Sequence, residues 1–477
     1  MPDVKLQNWK REITYYAHSV EFAESVDDIV RIVKDRQRYP APVRGKGSNH
    51  STTDCVVATG GTVIDVTRMN KILKIDKAAR TVTMQPGVLH IDLARELEKH
   101  DLQLYVNCEI GNLTYGSAAC CATKDASFHT AAEGWEYGQV NSYCMGVKAV
   151  AADGSLFEVT EKDGELMQAM RSSYGMLGVI YEVTFKVKDL KPMAVEHIVY
   201  HVDEFADRLE ALIAGNRSMM LYLFPHLDKV MVEYRWDGTP PIKSYTWQWA
   251  MRNYIWSKLG PWLGKTITTF VPFQTLRGFF VDMVNRSALV ICPPLVKHMS
   301  TSAANQIIRY PPTGGYAAYT FSIWAFPREE YPQTIRDYFR FCKEYEKTNR
   351  FRCDVLNVGY HIAQDKSSLF SYTRDGYKLT LDPVASGGNT GWHAFLIAYN
   401  EFCIEHNGKP LLNQTPHLTP LQAKAAFGPE IEAFQRYRRQ YDPGNLFYTP
   451  YFQQLFESPS PAAHQAPSGV AAGGPRS

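Results

Sequence analysis

The chain has 477 residues, 45% hydrophobic and 21% charged, more than one hydrophobic core usually serves, which predicts two domains. Basic and acidic residues nearly balance at 51 and 49, so the formal net charge of +2 gives no reason for a nucleic-acid partner and points to a small molecule. The N-terminal MPDVKLQNWKREITYY lacks the apolar core of a signal peptide, and nine cysteines without metal-ligand spacing predict free thiols, no metal site and a cytoplasmic location.

Ser25 followed by Val26, Ile29, Val30 and Val33 puts apolar residues on one helical face, with Ser25 as N-cap and Asp27 and Asp28 in the first turn. Tyr39-Pro40-Ala41-Pro42 stops that helix. A strand over 42–44 then feeds a glycine-punctuated loop, 43–51 (VRGKGSNHS), and apolar runs follow at 56–58 and 62–66. A tight loop at a strand end is where α/β folds place ligand phosphates. Residues 81–88 alternate and end in a Pro86-Gly87 turn, and 90–100 carry Ile91, Leu93, Ala94 and Leu97 on one side of a surface helix. Small residues dominate 107–127 (NCEIGNLTYGSAACCATKDAS), permitting close approach of backbone to a flat ligand. A hairpin around Asp153-Gly154 spans 147–159, and 181–187 (YEVTFKV) alternates strictly, closing a first domain near residue 188.

The middle is crowded with aromatic residues, from Trp247 and Trp249 to Phe279 and Phe280, interleaved with Lys243, Arg252, Lys258, Lys265 and Arg277. Such a segment could lie on a membrane interface or cover a greasy substrate; the plainer reading is a buried domain or dimer interface. A strand over 316–324, a helix over 330–347, a strand-like 352–362 and a final helix over 420–441 follow. The tail, 457–477, is Pro, Ala, Gly and Ser with little apolar bulk, and reads as disordered.

Gly45 and Gly47 would let successive N–H groups converge on an anion, with Ser48, Asn49 and Ser51 adding hydrogen bonds. No Gly-x-x-Gly helix start of dinucleotide type follows, so the spacing alone leaves a turn and a phosphate loop both open. The order of motifs says more: RGKGSNHSTTD at 44–54, QPGVLHIDLARELEKHDLQL at 85–104, GSAACCAT at 116–123, VAADG at 150–154 and LGVIYEVTFKV at 177–187. With YDPGNLFYTPYF at 441–452 and HNGK at 406–409, the chain resembles the vanillyl-alcohol-oxidase (PCMH-type) FAD-linked oxidases, nearest the sugar-lactone and alditol oxidase branch.

That resemblance implies an α+β fold: an FAD-binding PCMH-type domain over 1–188, an antiparallel-sheet substrate or cap domain over 189–415, and a C-terminal segment, 416–456, returning to the FAD domain. It implies that Arg44, Gly45, Lys46, Gly47, Ser48, Asn49, His50 and Ser51 hold FAD, with His50 bonded to the flavin or, as in some relatives, lining a noncovalent site. Pro86, Gly87, Gly116, Ser117, Cys121, Thr123 and Ser127 continue that site, and Gly175, Gly178, Val179 and Ile180 pack under its adenosine end. Cys108 lies near the cysteine of members with two flavin bonds but two positions out of register, and reads as a buried thiol.

Lys409 is expected at the flavin's pyrimidine edge, where an ammonium stabilises the reduced anion, and His406 would orient it or act as base. Relatives carry Thr-His-Gly-Ser-type residues where this chain has Thr123-Lys124-Asp125-Ala126-Ser127. Alditol oxidases present a Glu-x-Arg pair facing the flavin, and Val358 and Tyr360 stand there here. Tyr360, His361, Arg374 and His393 are then the local candidates for base and binding roles. The activity implied is oxidation of a CH–OH group, with electrons passing to oxygen or another acceptor. The rivals are a flavoenzyme acting on a hydrophobic alcohol or sterol, with membrane contact through 246–280, and a noncatalytic flavin-fold protein.

Overall fold

The computed structural model describes residues 3–243, 247–297 and 300–457. The polar tail, apart from Glu457, and residue 246 of the aromatic segment lie outside the described residues.

The first helix, Val26–Lys34, begins as its sequence dictates. Ser25 Oγ accepts the N–H of Asp28, and the Asp28 carboxylate accepts the N–H of Ser25 at 3.1 Å, a reciprocal cap that satisfies two donors the helix cannot. Its apolar side, Ile29, Ile32 and Val33, is buried against a three-stranded parallel sheet of Ser19–Phe22, Thr62–Asp65 and Val43–Lys46, with Thr62–Asp65 central. Beside it stands a five-stranded antiparallel sheet in the order Leu156–Thr160, Cys144–Val150, Val179–Lys186, Thr81–Met84 and Ile72–Asp76. The Asp153-Gly154 hairpin joins its first two strands, with Gly154 at a φ of +82°. Residues 56–58 form no strand; a short 3-10 turn, Asp54–Val56, stands at their start.

An eight-stranded antiparallel sheet forms the cap: Thr301–Ser302, Pro192–His201, Lys229–Asp237, Ser218–Phe224, Asn357–Ile362, Lys378–Leu381, Trp324–Pro327 and Lys409–Pro410. Strand alternation divides its two faces. Met219, Leu221 and Leu223 pack with Phe205, Leu209, Ile335 and Tyr338 of the helices Val202–Ala214 and Tyr331–Asn349. Met220, Tyr222, Val358 and Tyr360 point the other way, toward the helices Trp247–Tyr254, Gly260–Phe270 and Gln274–Leu295, which roof that face. A one-residue slip would exchange the faces, so burial on both sides fixes the register.

Two sequence expectations are corrected. The strand expected over 316–324 is two short strands: Tyr319–Phe321 pairs with Val384–Ser386, and Trp324–Pro327 pairs with Lys378–Leu381. The chain changes partner at Ser322, whose N–H reaches Pro383. Of 352–362 only Asn357–Ile362 is strand.

The helix Pro420–Tyr441 and the turn after it bring the C-terminal segment back to the parallel sheet, where the N–H of Val43 donates to Leu446 at 2.8 Å. No helix among the described residues is long and apolar enough to cross a membrane.

Candidate active site

The loop after strand Val43–Lys46 forms one wall of a cleft between the two N-terminal sheets, lined by Arg44 through Ser51. The fully buried Arg44 guanidinium donates to the carbonyls of Phe447, at 3.1 Å, and Tyr174, which ties the C-terminal segment and the Gly175 turn to the loop. Lys46 reaches Asp65 across the parallel pair at 2.6 Å. Opposite stand Pro86, Gly116, Ser117, Cys121 and Thr123, and at the far end Gly175, Gly178, Val179 and Ile180. Asn413 and Gln414 close the near side, where the N–H of Thr52 donates to Asn413 at 3.0 Å.

The cleft has the build of a dinucleotide cradle. A Cβ on Gly47 would lie 2.1 Å from Thr114 Oγ1, and one on Gly116 would lie 2.7 Å from the Pro86 side chain, so these glycines let the walls of the cleft approach one another closely. His50 stacks on Trp9, with ring centroids 5.1 Å apart, and its buried Nε2 has no hydrogen-bond partner among the described residues. Burial, helped by the neighbouring Lys10 charge, pushes its pKa down to about 3, so it stands as a neutral imidazole with a free nitrogen. A buried nitrogen without a partner among the described residues is a polar atom that a ligand bound in the cleft can satisfy.

Thr123, Ile110 and Gln414 also line a second cavity of about 350 Å³, between the cap sheet and the roof helices. Its walls are apolar for the most part: Val358, Phe321 and Leu411 from the sheet side and Trp256, Leu263, Met283 and Ile291 from the roof. Cys108 lies in this wall rather than in the cleft, its Sγ donating to the Lys124 carbonyl, and burial holds the thiol well above its ordinary pKa. Near the shared wall Lys124 Nζ sits 2.6 Å from Asp382 Oδ2 and 3.9 Å above the Tyr360 ring. Neither Lys124 nor Asp382 stood among the sequence candidates. The available signal was a single acid, Asp382, inside the apolar run LTLDPVA.

The remaining candidates are placed elsewhere. His361 follows Tyr360 on the same strand, so it faces away from the cavity, fully buried with Trp135 at 4.8 Å and Tyr377 at 5.9 Å. Lys409 lies outside both cavities, with Nζ 3.4 Å from Asp375 and 5.6 Å from the Phe427 ring; Leu411, two residues on, takes the cavity-facing place. His406 stacks on Phe402 and bonds its carbonyl at 2.8 Å, remote from the cleft. Ser127 is fully buried and accepts the N–H of Ala363 at 2.9 Å, stitching the small-residue segment to the cap sheet. Gly87 supports the cleft from behind, its N–H on Met69 at 2.7 Å. Arg374 binds the carbonyls of Lys366 and Ser368, and His393 pairs with His417 at 2.8 Å.

A Glu-x-Arg sequence does occur two strands from Tyr360, at Glu233-Tyr234-Arg235. Arg235 is consumed by Asp125 at 2.8 Å and by Glu233 at 2.7 Å, while Glu233 also holds Arg252, His197 and Tyr222. This buried network braces the cavity from behind, with Tyr222 in its wall beside Glu109, another partner of Arg252.

Residues 17–160 match the FAD binding domain family. The chain is 25% identical over 459 residues to L-gulonolactone oxidase of Mus musculus, covering 95% of this chain and 98% of that protein. Against the Bos taurus enzyme of the same name identity is 28% over 274 residues, 56% of this chain and 59% of that one. L-gulono-1,4-lactone dehydrogenase of Mycobacterium tuberculosis is 22% identical over 94% of this chain and 98% of its own. Among solved structures, cholesterol oxidase from Brevibacterium sterolicum superposes with a TM-score of 0.76 over 95% of this chain and 97% of that one. At 15% identity that likeness concerns the fold alone.

Proposed function

We propose, from the premise that the chain belongs to the PCMH-type FAD-linked oxidases, that it oxidises a CH–OH carbon held in the roofed cavity of the cap. One observation carries the reading: the glycine-loop cleft and the apolar cavity share a wall at Ile110, Thr123 and Gln414. FAD, when bound, supplies a two-electron acceptor for hydride. Residues 44–51, Pro86, Gly116, Ser117, Cys121, Thr123 and 178–180 would hold it, and His50 Nε2 is the atom for a covalent bond. The chain's own side chains then exclude water and hold the alcohol against the shared wall. Acid precipitation tests the bond: a yellow pellet is expected, and colour left in the supernatant would mean a noncovalent flavin.

Two substrate classes compete. The curated relatives are named for sugar lactones, which are polar; the cavity walls favour a hydrophobic alcohol or sterol. The roof supports the second class. Between residues 243 and 297 lie seven basic residues and one acidic residue, against a near-neutral chain; Arg252 is buried on Glu109 and Glu233, which leaves six for the roof's outer side. Trp247, Phe270, Phe273 and Phe279 are 67, 73, 71 and 61% exposed, and Met283 and Ile291 are both half-exposed and in the cavity wall. A basic, aromatic helical face suits the surface of an anionic membrane, where each Lys or Arg contributes about 1 kcal/mol. On this reading the protein is cytoplasmic, binds a membrane surface through 246–280, and takes its substrate through the roof.

Anaerobic mixing with dodecan-1-ol, a sterol and L-gulono-1,4-lactone separates the classes: faster bleaching with the hydrophobic alcohols is expected, and bleaching by the lactone alone would overturn that choice. Co-flotation with phosphatidylglycerol vesicles, weakened by salt, is expected of the roof; failure to float would remove the membrane contact.

A further inference from the structure

We propose that Asp382 is the catalytic residue that accepts the hydroxyl proton of the substrate, with Lys124 as its counter-ion. The inference rests on the functional reading above and adds the group that reading lacks.

Asp382 follows the strand Lys378–Leu381 and is clamped by its backbone, its N–H on the Val358 carbonyl at 2.8 Å and its own carbonyl accepting from Val358 at 3.0 Å. The carboxyl is therefore fixed in the cavity wall beside Tyr360. Its Oδ2 is taken by Lys124, at 2.6 Å, and by the Thr380 hydroxyl, at 3.3 Å; its Oδ1 is buried without a partner among the described residues. A buried carboxylate oxygen left unpaired is costly, and a substrate hydroxyl satisfies it.

The other acids of this cavity are already engaged. Glu109 is bound by Arg252, and Asp354 takes the hydroxyls of Thr268 and Ser386 and the N–H of Ser386. Lys124 adjoins Thr123, which lines both cavities, so the pair stands at the wall through which substrate and cleft meet.

Burial raises the Asp382 carboxyl to about 6, against the pull of Lys124 and the Thr380 hydroxyl. Facing it are Tyr360 from the neighbouring strand, Tyr331 and Tyr399 from helices behind the sheet, Tyr372 from a loop, and Cys403; burial lifts each above its ordinary value, so all are neutral near pH 6. Lys124 is then the cation that keeps the carboxylate available above that pH.

In the step, the substrate O–H bond breaks and its proton goes to Asp382 Oδ1, giving a neutral acid. The freed oxygen pair becomes the carbonyl π bond as the carbon loses hydride, two electrons and one hydrogen, to the FAD of the functional reading. The carbon is oxidised by two electrons and the proton count closes on Asp382.

The test uses holoenzyme and anaerobic bleaching by the best alcohol of the panel above. D382N is expected to retain its flavin and bleach about 100-fold or more slowly, the scale of a lost general base. In the wild type the rate is expected to fall as pH drops through about 6, because protonation removes the acceptor. K124M, which keeps Asp382, is expected to move that fall to higher pH, since burial then acts without a cation. Without any substrate, an infrared carboxylic-acid band that grows as pH falls through about 6 is expected in the wild type and not in D382N. Bleaching by D382N within about threefold of the wild type, or a pH limb unmoved in K124M, would overturn the proposal while leaving the functional reading intact. Failure of the wild type to bleach with any alcohol or lactone would sink both together.

Discussion

The cleft and the cavity that adjoins it are built by opposite means. The cleft depends on close-packed backbone: Gly47, Gly116 and Gly178 are small so that strands and loop can come close, and residues 44–51 form one of its walls as a continuous stretch. The cavity is made of side chains from remote segments, with Lys124 and Asp382 258 residues apart and a roof drawn from residues 247–295. A backbone site tolerates no added atom but is indifferent to most chemistry around it. A side-chain site can be reshaped one residue at a time, which is where a substrate preference is set.

The sharpest break in that contrast is Gly47→Val. With a Cβ already 2.1 Å from Thr114 Oγ1, the loop must move, and the purified variant is expected to carry almost no flavin, read from its visible absorbance. Ala288→Trp fills the cavity from the roof and should do the reverse: full flavin content, with kcat/KM for a bulky hydrophobic alcohol lowered about 10-fold or more.

His361→Phe separates stability from chemistry. His361 is fully buried, without a hydrogen-bond partner on either ring nitrogen among the described residues, and burial lowers its pKa to about 3. The unfolded chain takes up the proton below about 6.5 and the native state does not, so the wild type loses stability as pH falls from 7 to 5. The variant should lose less over that interval, by up to about 2 kcal/mol in urea unfolding, with bleaching unchanged. The smallest effect is expected of Lys409→Met. Its ion pair with the half-exposed Asp375 is worth at most about 1 kcal/mol, and flavin content and bleaching rate should stay put.

The same contrast explains what could be read in advance. Glycine spacing, the Ser25 cap and the Asp153-Gly154 turn act within a few residues, so 43–51 and the first sheets were legible from the sequence. Facing was harder. Lys409 starts a strand of two residues, Lys409–Pro410, too short for its pattern to declare which side looks inward, and Tyr360 and His361 trade faces with a single step of register. The Lys124–Asp382 pair had no local signal beyond one acid in an apolar run, because only the fold brings its halves together. The roof was visible as aromatic residues, but no periodicity told which of them would face the cavity and which the solvent.

The central claim is that residues 44–51 line an FAD site, and the visible spectrum of the purified protein, taken before and after acid precipitation and peptide digestion, tests it most directly. The account predicts an oxidised-flavin spectrum, colour that follows the pellet, and flavin mass on the peptide that contains His50. A colourless protein would contradict the account, and flavin mass on a peptide outside that loop would contradict its assignment of the site.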